Sequence, residues 1–261
     1  MKTLSIDVGI KHLAYCLFEG DFAISAWGIC NLTGSDIITC NVCKKKAKYQ
    51  KNEEAYCKIH VKNKKYKIPG FKTQHIKKMR LADLKANFEL KERIRKKDAL
   101  AQILTDMSNN YYEFIAYKNS KDYDLVEIGK NMKEQFDELF ENIDCVLVEN
   151  QIGPLANRMK TLQGMIMQYF ISKGVQDIKQ ISSANKLSLF INKKTTYNER
   201  KKLSVDLTKQ LIYSNNRYVP WIEHFDKNKK KDDLADCFLQ GISYFIKTNL
   251  LSLKNNKLRL T

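Results

Sequence analysis

The chain has 261 residues, of which 43% are hydrophobic, and carries a formal net charge of +17. This length fits one sizeable domain with insertions or two small domains. The net charge favours a polyanionic partner, although the lysine bias of an AT-rich genome would also raise the charge. No apolar run reaches the roughly eighteen residues of a membrane span, and no signal peptide is expected after Met1, so we expect an intracellular, non-secreted protein without a membrane partner.

The first thirty residues predict three short strands, Leu4–Ile6, Leu13–Phe18 and Phe22–Ile29. Glycine-containing turns between them predict an antiparallel meander. From about residue 38 the composition changes to lysine and cysteine, which is typical of an insertion. Residues 73–104 then predict a heavily charged helical segment, whereas residues 107–124 follow no clear pattern.

Helical spacing returns between Ile128 and Leu139, and the apolar run "DCVLVEN" that follows is too short for a helix. It predicts a buried strand parallel to the first, because a helix precedes it. A further strand is predicted in "VQDIKQIS". Helices are predicted over residues 154–174, with Pro154 in the first turn, and around 184–191, 198–213 and 229–247, with Asn198 as a candidate cap. This order predicts an α/β sheet with helices packed on it.

Carboxylates follow two of the predicted strands and lie on the last helix. Asp7 ends the first strand and Glu149 ends the "CVLVE" strand, so both should emerge at the carboxyl edge of the sheet, where ligands bind in α/β folds. Asp233 and Asp236 are three residues apart and share a helix face. Four converging carboxylates repel one another unless a cation lies between them, and oxygen ligands suit Mg²⁺ or Mn²⁺. Two such ions about 4 Å apart can cleave a phosphodiester.

Each acidic element also has a simpler interpretation. An aspartate before a glycine often forms only an Asx turn, and acidic residues favour helix N-termini without any metal. Asp232 competes with Asp233, which we prefer because of its spacing to Asp236. Gly9 would let a phosphate backbone come close. His12 follows the Asp7 loop and could approach the site, although a surface turn residue is the preferred interpretation.

The segments "SIDVGIKHLAY", "VLVENQ…NRMKTLQGMIMQYF" and "KKDDLADCFLQ" together resemble the RuvC-like Holliday junction resolvases of poxviruses and other large DNA viruses, within the RNase H-like superfamily. The resemblance covers about residues 1–32 and 127–247. It implies an RNase H-like mixed sheet flanked by helices and a homodimer that holds two Mg²⁺ ions per site. The implied catalytic metal ligands are Asp7, Glu149, Asp233 and Asp236.

The resemblance also implies where DNA is bound. The "NRMKTLQG" helix, with Arg158 and Lys160, would lie near the DNA and the dimer interface. A basic residue assists catalysis in the bacterial relatives, and Lys229, Lys230 and Lys231 are the candidates here, although a solvated lysine loop is an alternative. If the source is viral, the protein is expected in a cytoplasmic viral factory or the nucleus. No glycine-rich phosphate loop is visible, so no nucleotide cofactor is expected.

Residues 40–60 contain a CxxC and a CxxH, which predict a tetrahedral Zn²⁺ site formed by Cys40, Cys43, Cys57 and His60. Four protein ligands leave no open position, so the zinc would be structural. Between Lys44 and Lys67 there are ten lysines and two acidic residues. This surface predicts phosphate binding, with protein docking as the alternative. The candidate contacts are Lys44, Lys45, Lys46 and Lys48.

The predicted organisation is an RNase H-like nuclease core formed by residues 1–37 and 127–261, a zinc-binding insertion at 38–62 and a basic helical insertion at 63–126. The predicted function is that of a Mg²⁺-dependent endodeoxyribonuclease that resolves four-way junctions by paired symmetric nicks during viral DNA replication or recombination. An RNase H-type or transposon-type nuclease of the same fold and a non-catalytic, zinc-bearing adaptor for branched DNA are the alternatives.

Overall fold

The computed structural model describes residues 1–34, 37–153, 157–182, 189–190, 196–254 and 257–260. The chain divides into a first unit, Met1–Gly34 with Asn119–Thr261, and a second unit, Ser35–Lys118. Pro154 and most of the helix predicted around residues 184–191 lie outside the described residues.

Strands and helices are numbered here in chain order. The strands are β1 (Thr3–Asp7), β2 (Leu13–Glu19), β3 (Ala23–Cys30), β4 (Tyr49–Lys51), β5 (Glu54–Tyr56), β6 (Glu113–Phe114), β7 (Cys145–Asn150), β8 (Asp177–Ser182), β9 (Leu251–Lys254) and β10 (Lys257–Leu260). The α-helices are α1 (Thr73–Lys78), α2 (Leu81–Asn87), α3 (Lys96–Asn110), α4 (Leu125–Leu139), α5 (Asn157–Ser172), α6 (Tyr197–Ser214), α7 (Ile222–Lys227) and α8 (Lys231–Lys247).

The first unit contains a five-stranded mixed sheet in the order β3-β2-β1-β7-β8. β1, β2 and β3 form an antiparallel meander, whereas β7 pairs with β1 in parallel and β8 pairs with β7 in parallel. The predicted meander, the parallel central strand and the α/β sheet flanked by helices are therefore confirmed.

Helices cover both faces of this sheet because the central strands are apolar on both sides. In β2 the alternation is complete: Leu13, Tyr15 and Leu17 pack with α4 and α5, while residues of the opposite parity pack with α6, α7 and α8. α8 comes especially close to β2, since a Cβ added at Gly241 would lie 2.4 Å from the ring of Phe18. The glycine thus allows α8 to sit directly on the sheet.

The second unit has two small cores. The three-stranded sheet β5-β4-β6 surrounds one, where the Tyr112 side chain is fully buried. Helices α1, α2 and α3 enclose the other, around Ile76, Leu84 and Ile103. The predicted helical segment at 73–104 is thus three separate helices, and α3 extends into the part of the chain for which no pattern was found.

Two features of the first unit differ from the sequence-based expectation. The N-cap of α6 is Thr196, whose side chain forms a reciprocal capping box with Glu199, so the proposed cap at Asn198 is wrong. An antiparallel hairpin, β9–β10, follows α8 and was not predicted.

In the described part of the chain, no helix is both long and apolar enough to span a bilayer.

Candidate functional site

Asp7 and Glu149 lie at the carboxyl ends of adjacent parallel strands. β1 and β7 pair with Ser5 opposite Leu147 and Ile6 opposite Val148, so Asp7 and Glu149 come next along their strands. Side chains alternate along a strand and paired neighbours share a face. Ser5 faces α8, because its hydroxyl oxygen lies 3.2 Å from Gln240 Nε2. The alternation of side chains along β1 and β7 therefore directs both carboxylates to the side of the sheet that α8 covers.

Asp233 and Asp236 lie at the start of α8, on one face of the helix. Asp233 Oδ2 is buried without a hydrogen-bond partner, and the Lys230 ammonium is 3.8 Å away. Burial raises the pKa of Asp233, and the negative charges of Asp232 and Asp7 raise it further. Asp7 and Asp233 thus act on each other electrostatically, as expected for two acids at one site.

The competing aspartate, Asp232, has a different environment. Its Oδ2 accepts a 2.6 Å hydrogen bond from the Lys201 ammonium. Burial acts to raise the pKa of Asp232, but this hydrogen bond and the Lys201 charge outweigh it and lower the pKa. Asp232 thus forms a close, hydrogen-bonded ion pair with Lys201, whereas the ammonium of Lys230 lies 3.8 Å from the buried oxygen of Asp233.

The structure does not draw the four acids into one compact ligand set. Among the residues that it describes, the only group of three or more acidic, histidine or cysteine side chains within reach of one ion is the cysteine–histidine cluster of the second unit. Glu149 accepts a 3.0 Å hydrogen bond from Gln151 Nε2, and Asp236 is half-buried. Asp7 and Asp233 interact electrostatically, but no three acidic side chains of the described residues lie close enough to share one ion.

The turn after Asp7 brings His12 toward the acids. His12 is half-buried, and its pKa is lowered by burial and by the Lys230 charge, against the opposing effect of Asp233. A Cβ at Gly9 would lie 2.4 Å from the His12 carbonyl oxygen, so Gly9 lets this turn close tightly. His12 is thus a half-exposed turn residue that also lies near Asp233, which combines the two interpretations offered by the sequence.

Gln240 was also missed by sequence reasoning. It is fully buried on α8, one turn after Asp236, and its Nε2 donates to the carbonyl oxygens of Ile6 and Leu147 at 3.1 Å each. The same amide therefore holds the two strands that end in Asp7 and Glu149 and the helix that carries the other two acids. No spacing in the sequence distinguishes such a glutamine from a polar residue on a solvated helix face.

The basic residues predicted to contact DNA in the first unit occupy different environments. Arg158 Nη2 donates a 2.6 Å hydrogen bond to the Tyr123 carbonyl, while Lys160 is exposed on α5. Lys230 pairs with Asp233, and Lys231 Nζ donates to the Asn228 carbonyl at 3.1 Å. Lys230 thus contacts one of the four proposed acids, Asp233.

Cys40, Cys43, Cys57 and His60 form a compact cluster in the second unit, with one candidate ligand atom from each residue within 4.8 Å of all the others. His60 Nδ1 lies 3.6 Å from the sulfurs of both Cys40 and Cys57. Burial acts to raise the pKa of Cys40, but hydrogen bonds from the backbone around the cluster lower it to about 5. A deprotonated sulfur is the form that binds metal, so this set has the composition and spacing of a tetrahedral zinc site.

A family model described as "Poxvirus A22 protein" matches residues 97–248, more than half of the chain. The chain belongs to this family. The resemblance to the poxvirus branch of the RuvC-like Holliday junction resolvases is thereby confirmed, and the chain is a resolvase of the nuclease class.

Other similarities extend over most of the resolvase. It is 26% identical to the "uncharacterized protein L451" of Acanthamoeba polyphaga mimivirus, in an alignment that covers 94% of this chain and 74% of that protein. The fowlpox virus resolvase, solved with its substrate Holliday junction DNA, is 15% identical, with a TM-score of 0.45 over 95% of this chain and 99% of the other. Thermus thermophilus RuvC, solved with a Holliday junction substrate, is 9% identical, with a TM-score of 0.39 over 95% and 96% of the two chains.

Proposed function

We propose that the resolvase is a Mg²⁺-dependent endodeoxyribonuclease that resolves four-way junctions by paired, symmetric nicks during viral DNA replication or recombination. The observation that carries this proposal is the position of Asp7 and Glu149 at the ends of adjacent parallel strands, on the face covered by α8. Asp233 and Asp236 on that helix complete the proposed set of four carboxylates. Such a set suits phosphodiester hydrolysis with divalent metal.

The donor atoms fit Mg²⁺ or Mn²⁺. All four proposed ligands, Asp7, Glu149, Asp233 and Asp236, offer hard carboxylate oxygens, and the buried Oδ2 of Asp233 has no hydrogen-bond partner. A bound ion would offset the mutual repulsion of the carboxylates, which adds to burial in raising the pKa of Asp233. When bound, two such ions would supply a Lewis acid for the scissile phosphate and lower the pKa of the attacking water.

The chain's own residues would orient the substrate around this set. Lys230 Nζ lies 3.8 Å from Asp233, too far for a hydrogen bond, so its ammonium can turn to a phosphate oxygen and stabilise negative charge. Lys160 on α5 and Lys231 at the start of α8 are proposed backbone contacts, together with Arg158. Gln240 would hold α8 at a fixed position relative to the ends of β1 and β7.

Two nicks on opposed strands require two active sites. The chain supplies one proposed set of carboxylates, so we infer a homodimer in which each subunit cuts one strand. The helix α5 lies near the DNA and the dimer interface in this proposal, as the resemblance implies for the "NRMKTLQG" segment.

In the second unit, the proposed role of the cysteine–histidine cluster is a structural Zn²⁺ site. Its four ligands would leave no open position for substrate. The small core around Tyr112 suggests that the metal contributes much of the folding free energy of this segment.

A cleavage assay on a synthetic four-way junction tests the proposal. We expect symmetric nicks in two opposed strands when Mg²⁺ is added and no cleavage in EDTA, because the carboxylates alone offer no Lewis acid. Preferential cutting of an RNA–DNA hybrid would favour the RNase H-type alternative, and cutting at transposon-like ends would favour the transposon-type nuclease. Tight junction binding without any cleavage would favour the adaptor.

Replacing Gln240 with leucine tests whether this amide positions the site. We expect the cleavage rate at fixed Mg²⁺ to fall about tenfold and the Mg²⁺ concentration for half-maximal rate to rise, since residues that support metal ligands affect metal affinity or activity to this extent. Ser243→Ala, which changes a buried polar residue further along α8, is the control. An unchanged Mg²⁺ dependence in a folded Gln240→Leu protein would contradict a positioning role.

A further inference from the structure

The positive charge of the chain is concentrated in the second unit. Residues 35–118 contain 21 lysines and arginines and 9 aspartates and glutamates. The formal net charge of this unit is therefore +12, out of +17 for the whole chain. This unit is about a third of the chain, so its charge density is far higher than that of the nuclease unit. A bias in genome composition would not concentrate the charge in one folded part.

Part of this charge lines a groove beside the cysteine–histidine cluster, with a volume of about 460 Å³. We call it the lysine groove. Its lining residues are Lys45, Lys46, Ala47, Lys48, Cys57, Lys58, Ile59, Ile115 and Tyr117. The four lysines are exposed, and no acidic residue contributes to the lining. Across the described part of the chain, none of these four lysines forms an ion pair with a carboxylate, so their charges are available to an anionic ligand.

The floor of the lysine groove is apolar and held in place. Ile59 is 69% exposed and contributes apolar surface to the lining of the groove. The Tyr117 hydroxyl lies 3.0 Å from the carbonyl oxygen of Ile38 and 2.9 Å from that of Ala47, so the ring has a defined orientation. Lys46 Nζ lies 3.7 Å from the centre of that ring. A ligand that fits this surface carries several negative charges and also has apolar parts.

We propose that the lysine groove binds the sugar–phosphate backbone of one duplex arm of the branched substrate, without reading base sequence. The phosphates would contact the four lysines and the deoxyribose would contact Ile59. Since Lys46 covers a face of Tyr117, the groove does not offer an open aromatic ring for stacking an unpaired base. The proposal rests on the proposed function, because it supplies a second contact for the same DNA.

The cysteine–histidine cluster gives the groove its shape. Cys57 lies in its wall, and the chain between Cys40 and Lys45 is held by hydrogen bonds from Cys40 N to the Lys45 carbonyl and from Lys44 N to the Cys40 carbonyl. Lys44 adopts a left-handed backbone with φ of 58°, which turns the lysine run around the cluster. A bound metal would therefore fix the positions of the lysines before DNA arrives.

Two matched quadruple variants of the full-length protein test the proposal. The first replaces the groove lysines, Lys45, Lys46, Lys48 and Lys58, with glutamine. The control replaces four exposed lysines of the same unit that lie outside the groove, Lys78, Lys91, Lys96 and Lys97. Both variants lose the same charge. Binding to a four-way junction is measured without Mg²⁺ at several salt concentrations, and zinc content verifies that the second unit is folded.

The groove variant should bind the junction at least about tenfold more weakly near 0.1 M salt, and the slope of log Kd against log salt should fall by about one per lost phosphate contact. The control variant should change affinity by less than about twofold. Equal weakening of both variants, or no weakening of the groove variant, would overturn the proposal. If the quadruple variant loses zinc, the single variants Lys46→Glu and Lys58→Glu apply the same test.

Cleavage distinguishes this proposal from the proposed function. At subsaturating junction the nicking rate of the groove variant should fall in proportion to its lost affinity, because the groove lysines are proposed to hold the substrate. A wild-type protein that binds through the lysine groove but never cuts would contradict the nuclease chemistry and support the groove. A protein that cuts normally but whose affinity does not depend on the groove lysines would contradict the groove and support the nuclease chemistry.

Discussion

Replacing Asp7 with asparagine is expected to lower the rate of junction cleavage by at least about a hundredfold, while the protein still binds the junction. Residues that only support metal ligands change metal affinity or activity by about 10–100-fold, so the loss of a ligand should have at least this effect. Asparagine keeps the size of the side chain but removes the charge that attracts a divalent cation. The measurement is single-turnover nicking of a labelled four-way junction, with binding measured separately in EDTA.

The neighbouring pair on α8 supplies a matched control. Asp233→Asn should lower the rate of junction cleavage about as much as Asp7→Asn does, because the buried Oδ2 of Asp233 is a proposed metal ligand. Asp232→Asn removes the same charge one residue earlier and breaks the ion pair with Lys201, which for a partly exposed pair contributes roughly 0–1 kcal/mol, but it leaves all four proposed ligands in place. Normal cleavage by Asp7→Asn, or equal losses in the two α8 variants, would show that the active site is assigned incorrectly.

Replacing Cys40 with serine should remove zinc from the protein and unfold much of the second unit. Apparent zinc-binding free energies of structural sites are about 10–16 kcal/mol, and the core around Tyr112 is too small to replace that contribution. We expect zinc content to fall from about one ion per chain to near zero, and junction affinity to fall with it. The nicking rate at saturating DNA should change little, since the carboxylates belong to the first unit.

Cys145→Ala is the control for this experiment. Cys145 is a buried thiol of β7, and burial raises its pKa to about 12, so it remains protonated and apart from the cluster. This variant should keep its zinc. Wild-type protein purified without zinc, or a Cys40→Ser protein that retains a full equivalent, would contradict the zinc site.

The sequence predicted the elements whose pattern is local. β1, β2, β3, β7 and α8 show clear apolar periodicity and are present in the structure as expected. β6 has only two residues, Glu113 and Phe114, and it exists because it pairs with β4, some sixty residues earlier in the chain. No local pattern marks such a strand. The cap of α6 was misplaced for a different reason: Asn198 and Thr196 are both plausible caps, and only the reciprocal bond to Glu199 decides between them.

The candidate site was predictable as a set of residue types and less so as a set of contacts. Spacing favoured Asp233 over Asp232 as a proposed ligand, and the two differ in the structure because Lys201, thirty-one residues earlier, forms a hydrogen bond with Asp232. The contribution of Gln240 depends on α8 crossing β1 and β7 at that residue, which is a property of the tertiary fold. The separation of the carboxylate oxygens likewise depends on side-chain positions that a sequence pattern does not specify.

The buried amide of Gln240 also affects how the protein moves. Because one side chain is hydrogen-bonded to β1 and β7 and belongs to α8, lifting the helix from the sheet would break both bonds and leave polar groups unpaired in a dry interior. Local opening of this kind is costly, so the elements carrying the four acids should fluctuate together as one cooperative folding unit. Their backbone is then ordered before substrate arrives, and any adjustment on binding is confined to side chains.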